Sequence, residues 1–502
     1  MSLPTSLRVT NPATGALVAE VPAAGPEEIA AMMARARRAQ PAWAKLSFRE
    51  RAAVLRRLAG RLLRDPELAS TLMAENGKPR YEAEGMEVFY TCELTRFLTG
   101  RQGRRALADQ WRRPFIFAYK RARVVHHPHG VVGVIGPWNW PLLNNFADCV
   151  APLVAGNAVI LKPSQVTPLT SLRVAELWRH EGLPEDVFQV LAGDGDAGRA
   201  LVETADMIFF TGSQKIGRQV AARCGERLIP CVVELGGKSP FIVLEDADLA
   251  AAAHGAVWGS FANSGQVCIR PERVLVAAPV AEAFVELCKT EMARLRQGSD
   301  ASQPDQAAAD VGAMTTPAQV EHIEQQVQAA ITAGARLVAG GKRRTDLGGR
   351  FFEPTLLANV RPDMALAREE TFGPVMGVMA VRDEEEAVRI TNEIGLGLSG
   401  SVWSRDVDRA SRVARRLNTG SVCVNDVLVN YFAVEAPLGG VKGSGLGFRH
   451  GAEALRQFCW TETILEDAPV LGAISGYVGK QLSFPYQTRM LRLFRWVMRK
   501  LY

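Results

Sequence analysis

The sequence predicts an α/β protein with two parallel-sheet domains and a cleft between them. Its 502 residues are too many for one hydrophobic core. From Val124 onward, short apolar runs alternate with stretches of helical periodicity, and the loops between them are short. This alternation is typical of parallel sheets covered by helices. Because ligands bind at the carboxyl ends of parallel strands, we expect the functional residues to lie where strands end.

The elements follow from apolar spacing. Residues 26–77 carry apolar side chains at helical intervals, which predicts a helical layer packed on the rest of the molecule. The strands expected in a first sheet are Val131–Ile135, Ala158–Leu161, Phe188–Leu191, Met207–Phe210 and Cys231–Leu235. The strands expected in a second sheet are Phe241–Val243, Arg273–Val276, Val375–Val381, Ser399–Trp403 and Ser421–Val424.

Composition excludes several classes of protein. The N-terminus lacks the apolar segment of a secretory signal, and no run of about 18 apolar residues predicts a membrane span, so a cytoplasmic protein is expected. Eight cysteines are dispersed without a C-x-x-C pair, which disfavours a disulfide framework and a zinc site. We therefore expect no structural metal.

The net charge of +6 comes from the C-terminal tail. No acidic residue follows Asp467, whereas six basic residues do, and the rest of the chain has as many acidic as basic residues. A neutral body does not favour nucleic-acid binding. Thr488–Tyr502 wound as a helix separates arginines from apolar residues, which predicts a basic amphipathic helix. It could dock on protein or lie on an anionic membrane.

Three residues are candidates for catalysis. Cys268 ends the segment Phe261–Cys268, although a lone cysteine is more often a buried apolar residue. Glu234 ends an apolar strand, where a carboxylate is costly unless it is functional or salt-bridged. Asn139 lies between two Trp and two Pro residues, and the prolines should hold its amide rigidly, as an oxyanion hole requires, although it could equally bond its own turn.

Together these segments resemble the aldehyde dehydrogenase superfamily over about residues 8–466. The segments that carry the resemblance, in the family's order, are Gly136–Leu142, Leu161–Ser164, Phe210–Ser213, Glu234–Pro240, Gly265–Cys268, Glu369–Val375 and Pro437–Gly445. The resemblance implies a Rossmann-like NAD(P)-binding domain (1–111 and 131–235), a catalytic domain (236–445), a β oligomerisation arm (112–130 and 446–466) and a tail (467–502).

The resemblance also implies a mechanism. Cys268 attacks the aldehyde carbon, Asn139 holds the oxyanion, and Glu234 activates the water that hydrolyses the thioester. Two other classes remain open. A cysteine-dependent esterase would leave the nucleotide-binding segments without a purpose, and a non-catalytic protein on the same fold would not need these three residues.

The residues implied for the cofactor are Ile135, Trp138, Lys162, Ser164, Gln165, Gly195, Phe210, Gly212, Ser213, Leu235, Glu370 and Phe372. Phe372 could instead be a core residue. Many NAD-dependent members have Glu where this chain has Gln165, which lacks the charge that excludes the 2′-phosphate of NADP+. We expect NAD or NADP, with NAD favoured.

The family's substrate channel maps onto Asn144, Ala147, Phe432 and Leu438, and Ala147 should widen it. No arginine or lysine is obvious beside Cys268 before Arg270, which favours an apolar, long-chain or aromatic aldehyde over an anionic semialdehyde. Asp148 stands where many members carry Lys, and the sequence gives no account of it. The arm implies a homodimer or homotetramer. His126, His127 and His129 could bind a metal, but a solvated strand is favoured.

Overall fold

A six-stranded sheet forms the first half of the fold. The computed structural model describes residues 6–300 and 308–501. The strands, in spatial order, are Gly445–Leu446, Cys231–Glu234, Met207–Thr211, Val131–Ile135, Ala158–Lys162 and Phe188–Val190. All neighbours are parallel except the first pair, in which Gly445 lies opposite Glu234.

A seven-stranded sheet forms the second half. Its strands, in spatial order, are Arg336–Ala339, Thr355–Ala358, Val375–Val381, Arg273–Ala277, Pro240–Val243, Ser401–Trp403 and Cys423–Val424. Only the first pair is antiparallel. Two mainly parallel sheets covered by helices confirm the predicted fold class.

Helices cover both sheets. In chain order they are Pro26–Lys45, Phe48–Leu62, Leu68–Asn76, Tyr90–Leu98, Arg101–Leu107, Phe146–Ala155, Leu169–His180, Gly195–Thr204, Gln214–Glu226, Leu249–Phe261, Ala281–Met292, Pro317–Thr332, Ala365–Arg368, Glu384–Asn392, Val407–Ala414, Val429–Phe432, Gly451–Arg456, Ser475–Leu482 and Thr488–Leu501. The sequence analysis did not anticipate the π-helix Glu82–Phe89, a rare wide turn that is frequent at functional sites. Among the described residues, no helix is long and apolar enough to cross a membrane.

A three-stranded antiparallel sheet forms the arm. Lys120–Pro128 is its central strand, between Gln110–Arg112 and Cys459–Asp467. Two two-stranded pairs complete the strands: Ser6–Thr10 with Leu17–Pro22, and Leu396–Gly397 with Val441–Lys442.

Of the three histidines of the arm, His126 and His127 belong to the strand Lys120–Pro128, and His129 directly follows it. His127 Nε2 lies 2.8 Å from Glu462 Oε2, and its ring stacks on Trp460. His129 Nε2 lies 3.2 Å from the Gln457 carbonyl. Within 6–300 and 308–501 no cluster of three potential metal ligands is found.

The predicted C-terminal helix is confirmed over Thr488–Leu501. Tyr502, which the sequence prediction included, and residues 1–5 of the expected first domain lie outside the described residues. None of the side chains described in this helix is buried.

Candidate active site

The candidate residues surround one cavity of about 240 Å³ between the two sheets. Glu234 ends a strand of the six-stranded sheet, as predicted. Cys268 and Phe372 instead precede the strands Arg273–Ala277 and Val375–Val381. The expectation that every site residue follows a strand is therefore wrong for the second sheet. The amino ends of its strands line the cavity, and they face the carboxyl ends of the strands of the first sheet.

A left-handed turn places Cys268. Asn263, Ser264 and Gly265 all have positive φ angles, of 48°, 55° and 72°. A Cβ at position 265 would lie 2.1 Å from the Gly373 carbonyl oxygen, so only glycine fits there. Non-glycine residues in this region are strained, and such strain is concentrated at functional sites.

Asn139 is held through its backbone carbonyl, which accepts hydrogen bonds from three buried side chains. The donors are Asn263 Nδ2 at 2.8 Å, Lys78 Nζ at 3.1 Å and Asn76 Nδ2 at 3.3 Å. The Asn139 Nδ2 donates to the Gln266 carbonyl at 2.9 Å. An amide nitrogen carries two hydrogens, so the second can serve an oxyanion in the cavity that Asn139 lines.

A buried ion pair supports the same loop. Lys78 Nζ lies 2.5 Å from Glu87 Oε1, and neither side chain is exposed. Glu87 Oε2 accepts the Leu142 and Leu143 amides at 2.8 and 3.0 Å. Glu87 belongs to the π-helix, which therefore anchors the segment that carries Asn139.

Glu234 is only 5% exposed, and its buried Oε1 has no hydrogen-bond partner among the described residues. Burial raises the pKa of Glu234 to about 8; Arg449 opposes this shift and Asp148 adds to it. Burial likewise raises the pKa of Cys268 to about 12, again opposed by Arg449. Both shifts favour the protonated forms, so nucleophilic attack by Cys268 requires that its thiol first lose a proton.

Arg449 is the main site residue that the sequence analysis missed. It lines the cavity, and its Nη1 lies 2.6 Å from both carboxylate oxygens of Asp148. It also donates to Asn144 Oδ1 at 2.9 Å and to Thr211 Oγ1 at 2.8 Å. Burial alone would lower the pKa of Arg449, but the facing Asp148 and Tyr431 raise it, so the guanidinium stays charged.

Arg449 therefore supplies a cation beside Cys268 that the sequence did not make obvious. Arg449 was missed because it lies far downstream of Cys268 in the sequence. Arg270, the nearest arginine in sequence, is fully buried and turned into the protein. It donates to the Pro271 and Val375 carbonyls and pairs with Glu272 at 2.7 Å.

The cavity contains half of the residues predicted for the cofactor. Those that line it are Trp138, Gly212, Ser213, Leu235, Glu370 and Phe372. Ile135 and Lys162 end neighbouring strands, and Phe210 is buried under Gly212. Ser164 accepts the Val166 amide, and Gly195 begins a helix capped by Asp194. Gln165 is exposed in a separate groove of about 430 Å³ that Asp194 also lines.

These residues fit a dinucleotide. No side chain caps the helix Gln214–Glu226, so its first amides are available to a phosphate. A Cβ at Gly217 would lie 2.2 Å from Leu235 Cδ2, so glycine permits this helix to lie close against the strand edge. Burial lowers the pKa of Lys162 to about 8, with Asp194 opposing the shift, and an anionic ligand beside it would raise this pKa again.

A buried network holds the loop of Glu370 and Phe372. Glu272 pairs with Lys238 at 2.5 Å and accepts the Phe372 amide at 3.1 Å. Phe372 has a φ of 51° and meets Trp138 edge-on at 5.4 Å. Glu370 Oε1 accepts the Gly237 amide at 3.1 Å. Phe372 is thus a constrained residue of the cavity wall. Gln319 and His322 also line the cavity and were not predicted.

A second, apolar pocket of about 30 Å³ lies against Cys268. Its walls are Met86, Trp140, Leu143, Ala262, Val267, Ile269, Leu428, Tyr431 and Phe432. Of the residues predicted for the channel, Phe432 lines this pocket, whereas Asn144 and Leu438 line the larger cavity. Ala147 lines neither, because it is buried at the start of the helix Phe146–Ala155.

The arrangement is typical of α/β enzymes that attack a carbonyl with a cysteine beside a nucleotide-binding sheet. The sequence profile described as "Aldehyde dehydrogenase family" matches residues 2–464. This chain belongs to the aldehyde dehydrogenase family. It is an NAD(P)+-dependent dehydrogenase, which confirms the predicted class of enzyme.

Two relatives illustrate the range of named substrates. A protein of Mycolicibacterium smegmatis with the provisional name succinate-semialdehyde dehydrogenase (NADP+) is 37% identical over 480 residues, 94% of this chain and 92% of the relative. The 4,4′-diapolycopene aldehyde oxidase of a Methylomonas species is 37% identical over 462 residues, 91% of this chain and 85% of the relative.

Solved structures share the whole fold. A Mycobacterium tuberculosis aldehyde dehydrogenase complexed with NAD+ superposes with a TM-score of 0.87 at 34% identity, covering 93% of this chain and 96% of the other. An Escherichia coli NADP-dependent enzyme also gives 0.87, at 33% identity over 92% and 95% of the two chains. The expectation of NAD or NADP as cofactor is confirmed at this level.

Proposed function

We propose that the protein oxidises an apolar, long-chain or aromatic aldehyde to its carboxylic acid, with Cys268 as nucleophile and Glu234 as general base. The observation that carries this proposal is that Cys268, Glu234 and Asn139 line one cavity with Trp138 and Phe372. The two catalytic half-reactions, attack on a carbonyl and hydrolysis of a thioester, need these three groups within reach of one carbon atom.

The proposed chemistry at Cys268 uses the groups that line the cavity. After the thiol has released its proton to solvent, the thiolate sulfur forms a bond to the aldehyde carbon, and the carbonyl oxygen becomes an oxyanion that accepts a hydrogen bond from Asn139. Loss of hydride from this carbon leaves a thioester on Cys268. Glu234 then removes a proton from water, the water oxygen attacks the thioester carbon, and the carbon–sulfur bond breaks to release the acid.

NAD(P)+, when bound, accepts the hydride. We propose that Gly212 and Ser213 hold its pyrophosphate, that Lys162 contacts the adenine ribose, and that Glu370 with Phe372 holds the nicotinamide ribose. Ile135, Trp138, Ser164, Gln165, Gly195, Phe210 and Leu235 complete the proposed site. In this proposal most cofactor contacts come from the domain 1–111 and 131–235 and the nucleophile from the domain 236–445, while Glu370 and Phe372 reach the cofactor from the second domain and Asn139 and Glu234 reach the substrate from the first.

The apolar pocket supports the substrate class. Its wall combines aromatic and aliphatic side chains around one face of Cys268. Burial of an alkyl or aryl chain there is favourable by roughly 25 cal/mol per Å². The Methylomonas relative carries the name of an apolar polyene aldehyde, which agrees with this proposal.

An anionic semialdehyde is the second candidate. The Mycolicibacterium relative carries such a name, and Arg449 supplies a cation in the cavity. Asp148 already neutralises that cation through two contacts of 2.6 Å. A substrate carboxylate would have to compete with this buried carboxylate, so the apolar aldehyde is favoured.

The test compares cofactor reduction with an aldehyde series at matched concentrations. We expect kcat/KM to rise from succinate semialdehyde through hexanal to decanal and cinnamaldehyde. The Cys268→Ala variant should show no reduction of either cofactor. The highest kcat/KM for the semialdehyde would contradict the apolar assignment, and turnover by Cys268→Ala would contradict the mechanism.

Glu234→Gln tests the second half-reaction separately. We expect a burst of reduced cofactor equal to one per active site, followed by turnover at least about 100-fold slower than that of the parent enzyme, because hydrolysis lacks its base. Unchanged steady-state turnover would remove Glu234 from the proposed role.

A further inference from the structure

One end of the arm combines two exposed apolar segments with a cluster of positive charge. The loop Phe115–Phe117 leads into the strand Lys120–Pro128, and the tail leaves the partner strand at Asp467. Lys120 and Asp467 lie opposite each other in the sheet, and the Ala468 amide donates to the Tyr119 carbonyl at 2.8 Å. The loop and the tail therefore start from the same end of the arm, here called the arm end.

The loop is open to solvent. Phe115 is 88% exposed and Ile116 is 80% exposed. Arg112 and Arg113 precede these residues, and Lys120 follows them. Adjacent large apolar side chains with such exposure indicate a contact surface for protein or membrane.

The C-terminal helix has the same two properties on opposite faces. At about 100° per residue, the cations occupy one side, with Trp496 among them, and the other apolar side chains occupy the opposite side. The cations are Arg489, Arg492, Arg495, Arg499 and Lys500, and the apolar side chains are Met490, Leu491, Leu493, Phe494, Val497, Met498 and Leu501. Phe494 is 47% exposed and Leu501 is 59% exposed, so no described part of the chain covers this face.

We propose that the arm end binds the surface of an anionic lipid bilayer, with the C-terminal helix lying in the plane of the headgroups. Its apolar face would enter the acyl boundary while its arginines pair with lipid phosphates. The absence of any acidic residue after Asp467 gives charge complementarity to an anionic surface. A polyanion such as RNA would match the arginines but would leave the apolar face and the Phe115–Phe117 loop in water.

The experiment uses the full chain with vesicles and no aldehyde or cofactor, so its result is independent of the proposed function. Vesicles of phosphatidylcholine, with and without phosphatidylglycerol, are sedimented with the protein at low and high salt. We expect co-sedimentation only with the anionic vesicles, weakened by salt because surface electrostatics are screened. No binding to anionic vesicles at low salt would overturn the proposal.

Three variants separate charge from apolar contact. The first is the triple variant Arg492→Glu, Arg495→Glu and Arg499→Glu. It should weaken vesicle binding by at least about 100-fold, given roughly 1 kcal/mol per cation. The second is the triple variant Leu493→Ser, Phe494→Ser and Val497→Ser. It keeps the positive charge of the helix and should weaken vesicle binding to a similar degree. Phe115→Ser with Ile116→Ser should weaken binding by about tenfold.

A matched control reverses three exposed arginines of the N-terminal region, Arg38→Glu, Arg49→Glu and Arg64→Glu, and should bind as the parent does. All variants should keep the circular dichroism spectrum and the thermal unfolding midpoint of the parent protein, which shows that they fold. Undiminished binding by the serine variant of the helix would indicate a polyanion contact and overturn the proposal. Loss of oligomer mass on truncation after Asp467, without vesicle binding by the parent, would assign the helix to a sister subunit instead.

Discussion

Arg449 and Asp148 set the electrostatic environment of Glu234. Arg449 contacts Thr211, which pairs with Glu234 across neighbouring strands. Its positive charge favours the carboxylate of Glu234, whereas Asp148 disfavours it. Because both charges are buried, their influence is weakly screened, and each should be visible in the pH dependence of the reaction.

The parent enzyme should gain activity as pH rises. Glu234 acts as a base only when ionised, and its pKa is raised to about 8. The rate of thioester hydrolysis should therefore increase as pH rises through about 8. Arg449→Met should move this rise to higher pH by about one unit, and Asp148→Asn should move it to lower pH. Steady-state kcat across pH 6 to 10 measures both shifts.

Opposite shifts distinguish an electrostatic role from a structural one. Loss of packing alone would lower the rate in both variants without moving the pH at which it rises. Breaking a buried ion pair by removing one partner costs about 3–5 kcal/mol of folding free energy, so thermal unfolding of each variant is the accompanying control. Shifts in the same direction would contradict the assignment.

Gln165 should set the tolerance for NADP+. Gln165→Glu places a carboxylate beside the expected 2′-phosphate and should raise KM for NADP+ by about tenfold, with little change for NAD+. Gln165→Met, of similar size and neutral, is the matched control for the charge. Equal effects of both substitutions on the two cofactors would show that position 165 does not contact the 2′ position.

Among the individual site residues, the sequence could predict those that belong to a recognisable local segment. Cys268, Glu234 and Asn139 each stand in a recognisable segment, and the structure brings them to one cavity. Arg449 and the supporting pairs of Lys78 with Glu87 and Lys238 with Glu272 have no such pattern. Their partners are distant in sequence, and only the tertiary fold shows that their charges are buried.

Among the elements, the helix Gln214–Glu226 and the strand edge beside it form the proposed phosphate-binding corner. Their close packing depends on Gly217, where a Cβ would lie 2.2 Å from Leu235 Cδ2. Ten of the thirteen strands in the two sheets were predicted to within about two residues, because buried parallel strands are short apolar runs. The strands Arg336–Ala339, Thr355–Ala358 and Gly445–Leu446 were not predicted. The π-helix was not predicted, since its hydrogen-bond shift leaves no simple apolar period.

Gly217→Ala should displace this helix from the sheet. We expect a loss of about 1–3 kcal/mol in the free energy of unfolding, as for other overpacked sites, and a higher KM for either cofactor. Gly225→Ala in the same helix is the matched control, because nothing lies within 4 Å of its Cβ position. That variant should be unchanged or more stable by up to about 1 kcal/mol. Thermal unfolding and cofactor titrations of the two variants measure these effects. Equal unfolding free energies and equal KM values for the two variants would contradict the packing argument.

For the whole molecule, alternation of strands and helices was enough to predict two parallel sheets. It could not predict which strands are neighbours, or that the amino ends of one sheet face the carboxyl ends of the other. Those features depend on contacts between residues far apart in the chain, such as Gly445 with Glu234.

The arm should assemble the molecule into a homodimer or homotetramer. Leu465 in the arm strand Cys459–Asp467 is 61% exposed, and Trp460 is 49% exposed. Light scattering should give two or four times the mass of the chain, and Leu465→Asp should lower it. Leu63→Asp, at a leucine that is 57% exposed in the N-terminal region, is the control and should leave the mass unchanged. A monomeric parent protein would contradict the prediction.

The short strand Gly445–Leu446 has a consequence for biosynthesis. It closes the edge of the six-stranded sheet against the strand that carries Glu234, and the neighbouring Ser444 carbonyl accepts the Leu235 amide at 2.9 Å. Arg449 follows within a few residues. A nascent chain on the ribosome can form the central strands early, but Glu234 lacks its edge partner and its cation until residues 445–449 have emerged. Cys268 is thus translated long before the groups that complete its surroundings, and we expect activity only after residues 445–449 have folded onto the first sheet.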